Sequence, residues 1–148
     1  MAQTTTAFNA CDAKIELDNL GGTLKDISGS TNSVSLEFTN DLGEFKTYGT
    51  RWRGRLECGS DATFTVNIVS STTADEGWDI LQSWFWGARG ARSLRVCIPD
   101  SSVGSWEYLA EVLIESYSQE LPADEGAPVT TTVVLRPTGT IVCDEIAS

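Results

Sequence analysis

Period-two alternation dominates this chain. Over residues 33–39, Val34, Leu36 and Phe38 fall on one face and Ser33, Ser35, Glu37 and Thr39 on the other. That is the pattern of a strand with one buried side. Residues 63–68 repeat it, with Phe64, Val66 and Ile68 set against Thr63, Thr65 and Asn67. Ile15 and Leu17 alternate with Lys14, Glu16 and Asp18, and Asn19-Leu20-Gly21-Gly22 then supplies turn chemistry. Further strands are expected at 93–98, 106–117 and 129–136, bounded by glycine or proline. Residues 1–10, 40–49 and 119–128 read as the mobile stretches.

One segment changes to a helical period. At about 100° per residue, Trp78, Ile80, Leu81, Trp84 and Phe85 gather within an arc of about 160°. Asp75, Glu76, Asp79, Gln82 and Ser83 occupy the other side. The spacing predicts a helix over 74–86, with Thr73 and Glu76 as a capping box and Gly87 as its stop. Trp86 falls outside the apolar stripe. No repeat or low-complexity segment divides the chain. The expectation is one domain over 1–148, mainly β, a β-sandwich or curled barrel of about 7–8 strands with one flanking α-helix.

Composition narrows the chemistry. The 148 residues include 10 basic and 21 acidic side chains, a net charge of −11, the wrong sign for binding that works by neutralising phosphates. No apolar run is long enough to span a membrane, and the polar first residues have no signal-peptide core. Histidine is absent, which removes the commonest general base and zinc ligand. Cys11, Cys58, Cys97 and Cys143 lie too far apart in sequence for a metal knuckle or redox pair, and are read chiefly as reduced thiols, with one or two disulfides as the minority case. Carboxylate catalysis has no marked pair, no lysine stands in an SxxK pattern, and Asp124-Glu125-Gly126 lacks the ladder of a calcium loop. No catalytic residue, metal or cofactor is expected.

The arginines are distributed unevenly. Residues 1–50 carry a net −4, residues 51–95 a net +1 and residues 96–148 a net −8. Arg51, Arg53 and Arg55 alternate around Trp52 in what reads as a strand, and Arg89, Arg92 and Arg95 follow the helix. Three readings stay open: a single-stranded nucleic-acid surface, a charged edge strand, and a contact between copies that meets an acidic edge head to tail. Trp52, Trp86 and Trp106 are open to a partner surface or a sugar, whereas Trp78 and Trp84 read as core.

The order of elements then becomes informative. A short strand, a strand entering TNDLGEFKTYGTRWRG, and the strand DATFTVNIV precede the helix DEGWDILQSWF. GARSLRVCIPD, WEYLAEVLIESYSQELPADEGAPV and TTTVVLRPTGTIV follow it. Over roughly residues 14–142 this order resembles the major tail tube proteins of long-tailed bacteriophages, and more distantly the tube proteins of contractile tails and secretion needles.

The resemblance implies a structural virion protein. Six copies would form a ring, and rings would stack into a hollow tail tube that conducts DNA into the host. Its partners would be further copies of itself, a tape measure protein, and tail-tip and tail terminator proteins. DNA would pass without specific binding. Assembly would occur in the host cytoplasm, with no membrane insertion. The loop at 40–49 and the arms at 1–10 and 142–148 would join rings. Phe45, Tyr48, Arg51, Trp52, Arg53, Arg55, Trp86 and Arg89 are the candidate subunit contacts. Glu37, Glu107, Glu111 and Glu115 are the candidate lumen acids, although Leu109 and Leu113 share a face with the last three. An acidic lumen would repel phosphates. The alternatives are a β-sandwich binding module, for carbohydrate among others, and another phage structural protein such as a tail terminator or head decoration protein.

Overall fold

Alternating burial builds most of the strands. In the computed structural model, which describes residues 7–147, a 3₁₀ turn (Ala10–Asp12) leads into β1 (Lys14–Asp18) and β2 (Leu24–Asp26). There follow β3 (Thr31–Phe45), β4 (Gly54–Val69), α1 (Gly77–Phe85), β5 (Arg92–Ile98), β6 (Trp106–Glu120), β7 (Thr130–Pro137) and β8 (Val142–Glu145). They form one antiparallel sheet in the order β2-β1-β5-β6-β7-β4-β3, with β8 added beside β6.

The sheet curls without closing. Strands β3 and β6 lie three positions apart in it, which is about 14 Å across a flat sheet. Yet the rings of Phe38 on β3 and Tyr108 on β6 approach to 5.3 Å between centroids. Inside the curl Ile15, Leu17, Phe64, Val66, Ile68, Leu94, Val96, Val112, Val133 and Leu135 pack with Ile80, Leu81 and Trp84 of α1. The mainly β fold with one flanking helix therefore stands as expected, as a single curled sheet of eight strands.

The helix is shorter than its sequence pattern suggested. It starts at Gly77 instead of Ala74, and Glu76 is the N-cap without a side-chain hydrogen bond. The Thr73–Glu76 capping box does not form. Asp75 takes a left-handed φ of 61°, and its amide donates to Asp79 Oδ2 at 3.0 Å. Gly77 is required by close packing: a Cβ there would stand 2.8 Å from Ser30 Oγ and 2.9 Å from Ile68 Cδ1. At the other end, the Trp84 indole donates to the Gly90 carbonyl at 2.7 Å. The buried Arg92 guanidinium lies over the Trp84 ring and donates to the Asp18 and Ile80 carbonyls.

Two segments read as a loop and an arm are ordered by pairing. The loop expected at 40–49 begins six residues later, at Lys46, because β3 continues to Phe45 against β4. Arg51 and Arg53, read as strand residues, lie in the intervening loop, and of that set Arg55 alone belongs to β4. Val142–Glu145, read as part of an arm, pair as β8 with Trp106–Leu109 of β6. Of the amino-terminal arm, residues 1–6 lie outside the described residues. The four cysteines are free thiols, with Cys97 buried and the other three exposed.

Candidate assembly surfaces

Strands β3 and β4 outrun the rest of the sheet. The ladder between them extends to Phe45 and Gly54, but β4 meets β7 only from Phe64 onward. Pro137 ends β7, since proline cannot continue a ladder. Residues 39–60 therefore form a two-stranded ribbon with solvent on both faces. It carries large apolar side chains into water: Leu42, Phe45, Tyr48, Trp52 and Leu56 are all exposed, Trp52 by 77%. A two-stranded hairpin is marginal alone, and large exposed apolar patches are in general where proteins meet partners.

The ribbon gathers most of the expected contact residues. Phe45, Tyr48, Arg51, Trp52, Arg53 and Arg55 all lie at its end. Arg53 Nη1 donates to Glu44 Oε2 at 2.8 Å, and Arg55 Nη2 reaches Glu44 Oε1 at 3.4 Å. The sequence alone does not single out Glu44, because its role follows from the ladder that sets it opposite Arg55. Lys46 and Arg51 have no ion-pair partner among the described residues. An irregularity at Asp41/Leu42 leaves Cys58 unpaired in the ladder, the two-against-one arrangement of a β-bulge.

Trp86 and Arg89 belong to a different place. They follow the end of α1, where Trp86 is 69% exposed. Phe85 stacks on Tyr117 at 5.1 Å and meets Trp86 edge-on at 4.9 Å. Arg89 lies over the Phe85 ring and donates through Nε to the Phe85 carbonyl at 2.9 Å. That hydrogen bond satisfies an orphan carbonyl of the last turn with a cation.

The four candidate acids share the sheet face turned away from the core. Glu37 alternates with Leu36 and Phe38, and Glu107 and Glu111 alternate with Tyr108, Ala110 and Val112. Glu115 reaches the same face beside a β6 irregularity between Ile114 and Ser116. Most are engaged. Arg95 donates to Glu107 Oε2 at 2.6 Å and to Glu16 Oε2 at 3.0 Å, with Lys14 also on Glu16. Arg136 bridges Glu115 and Asp61 at 2.9 and 3.2 Å. Ser93 Oγ donates to the Glu111 carboxylate. Glu37 has no ion pair among the described residues.

This array has pKa consequences. Burial opposes the charge on Glu16, but hydrogen bonds from Lys14 and Arg95 outweigh it and hold the carboxyl below its ordinary value. The same carboxylates push Arg95 further up, Glu107 contributing most. Burial raises the Cys97 thiol, which lies between these charges.

No protein-family profile and no curated protein matches the chain. Solved structures do. The tail of an empty gene transfer agent particle of C6 symmetry superposes with a TM-score of 0.71 at 17% identity, over 92% of this chain and 98% of the other. The SPP1 tail tube gives 0.73 at 11% identity, over 96% and 81%. Hcp1 from Flavobacterium johnsoniae gives 0.54 at 16% identity, over 91% and 99%. This chain, a curled sheet with a single helix, has the fold of these tail tube structures.

Proposed function

We propose that the chain is the subunit of a tail tube, six copies to a ring and rings stacked into a hollow conduit for DNA in a virion tail. The observation that carries this reading is the ribbon. A monomer would leave Leu42, Phe45, Tyr48, Trp52 and Leu56 in water on two strands and their connecting loop that nothing else supports, whereas an assembly covers them and the open strand edges beside them. The fold shared with tail tubes supplies the context.

In this reading the ribbon end, with Phe45, Tyr48, Arg51, Trp52, Arg53 and Arg55, makes subunit contacts. Trp86 and Arg89 make a second contact at the helix end. The sheet face bearing Glu37, Glu107, Glu111 and Glu115 lines the lumen. Arg95 and Arg136 neutralise part of it, so the wall is mildly acidic and gives phosphates no continuous track of cations. Tape measure, tail-tip and tail terminator proteins are the further partners. The work is packing and electrostatics, with no covalent step.

Negative-stain electron microscopy of the purified chain across a concentration series, with light scattering, tests the proposal. Rings or hollow tubes with six-fold end views are expected. A chain that stays monomeric at every concentration, and still does so with tail-tip complexes added, overturns it in favour of a monomeric binding module.

A further inference from the structure

The two ends of the sheet differ in charge. Strand β4 runs from Gly54 at the ribbon end to Val69, and its 16 residues span about 50 Å at ~3.3 Å per residue. Thr130 of β7 lies opposite Val69, and Glu120 of β6 lies opposite Thr130. The β6–β7 turn therefore sits at the end of the molecule remote from the ribbon tip.

The ribbon tip, residues 45–55, contains Lys46, Arg51, Arg53 and Arg55 and no acid. Glu44 occupies Arg53 and Arg55, leaving Lys46 and Arg51 uncommitted. These two stand at the limits of a concavity lined by residues 46–51. The β6–β7 turn contains Glu120, Asp124 and Glu125 and no base. None of the three has an ion-pair partner among the described residues. The turn is shaped in advance: Pro122 and Pro128 flank it, the Ala127 amide donates to the Asp124 carbonyl at 3.3 Å, and Gly126 supplies a φ of 81°. A protruding turn held this way loses little freedom on docking.

Opposite charges at opposite ends cannot meet within one copy. They meet between copies related head to tail, an arrangement that leaves a free tip at one end and a free turn at the other and so extends without closing. We infer that the ribbon tip of one copy docks through Lys46 and Arg51 on the Glu120–Asp124–Glu125 turn of a copy in the next ring. The inference rests on the tube reading and identifies the partner surface for the ribbon.

Two charge-reversed chains test it: a tip variant, Lys46→Glu with Arg51→Glu, and a turn variant, Glu120→Lys with Asp124→Lys and Glu125→Lys. All five positions are exposed, and circular dichroism confirms that each variant folds. Each alone should need about tenfold more protein to assemble than the wild type, a loss of about 1.4 kcal/mol per contact. An equimolar mixture should recover assembly, because each reversed tip then meets a reversed turn and each native tip a native turn. Sedimentation and electron microscopy read the result. A wild-type chain that assembles while the mixture does not recover overturns this contact and leaves the tube reading standing. Variants that assemble alone as readily as the wild type overturn it too. A wild-type chain that never assembles, with or without tail-tip complexes, overturns the tube reading itself.

Discussion

The Phe45 ring lies over the backbone of Gly54, its partner across the β3–β4 ladder, so closely that a Cβ on Gly54 would stand 2.3 Å from the Phe45 Cζ. Glycine at this position lets the ring close over the end of the ribbon. Gly54→Ala pushes the ring aside. The atoms displaced are the far end of a half-exposed side chain, so the backbone need not move. The unfolding free energy should change by no more than about 0.5 kcal/mol, while self-assembly weakens because the aromatic contact is aimed elsewhere. Thermal unfolding and sedimentation read the two effects separately. A large fall in unfolding midpoint with unchanged assembly would contradict the assignment of Phe45 to a contact.

Phe64 is the opposite case. It is 1% exposed, with Phe38 edge-on to it at 5.8 Å. Phe64→Ala removes a ring from the packed interior of the curl and should cost about 3–5 kcal/mol, by lost burial and the cavity left behind. Urea unfolding followed by tryptophan fluorescence measures it. A cost below about 1 kcal/mol would mean that Phe64 is not packed in the interior of the curl.

This contrast explains what the sequence made legible. Phe64, Val66 and Ile68 alternate with polar residues because one face of β4 is buried there, and burial is what imposes a period of two. Beyond Ala62, and beyond Thr39 on β3, both faces meet solvent. Asn40-Asp41-Leu42-Gly43-Glu44 is under no such constraint and reads as loop, although it is strand. The sequence pattern starts α1 too early because Thr73 and Glu76 have the right spacing for a cap while Gly77, held by Ser30 and Ile68, sets the start. The ribbon's cations could be read as a group from Arg51, Arg53 and Arg55. Their partner Glu44 could not, since the register that joins them is a property of the fold.

The Lys14–Glu16–Arg95–Glu107 array makes stability sensitive to acid. The Glu16 carboxyl is held below its ordinary value of 4.5 in the folded chain, so the unfolded chain binds more protons in that window. The stabilisation is therefore complete above about pH 4.5 and is lost as pH falls through the lower folded value. Glu16→Gln should lower stability at pH 7 by about 1 kcal/mol, a figure reduced for the partly exposed setting. It should also flatten the loss between pH 4.5 and 3. Denaturation midpoints of both chains across pH 3–7 decide it. Parallel curves would mean that the array contributes nothing in this range.

Glu37 tests which face lines the lumen. Glu107 and Glu115 are matched by Arg95 and Arg136, whereas Glu37 stands without an ion pair among the described residues, within the influence of Arg136. Glu37→Lys reverses the charge and adds a cation beside Arg136, which the proposed tube would repeat around every ring. Tubes of this variant should then retain duplex DNA, and wild-type tubes should not. Retention should fall steeply with salt, because it would come from counterion release. Glu107→Gln should do much less, since Arg95 keeps Glu16 as its partner. Co-sedimentation of labelled duplex with assembled tubes at low and high salt measures all three chains. Equal, negligible retention by the Glu37→Lys tubes would place this face outside the lumen and move the search for the channel wall to another surface of the subunit.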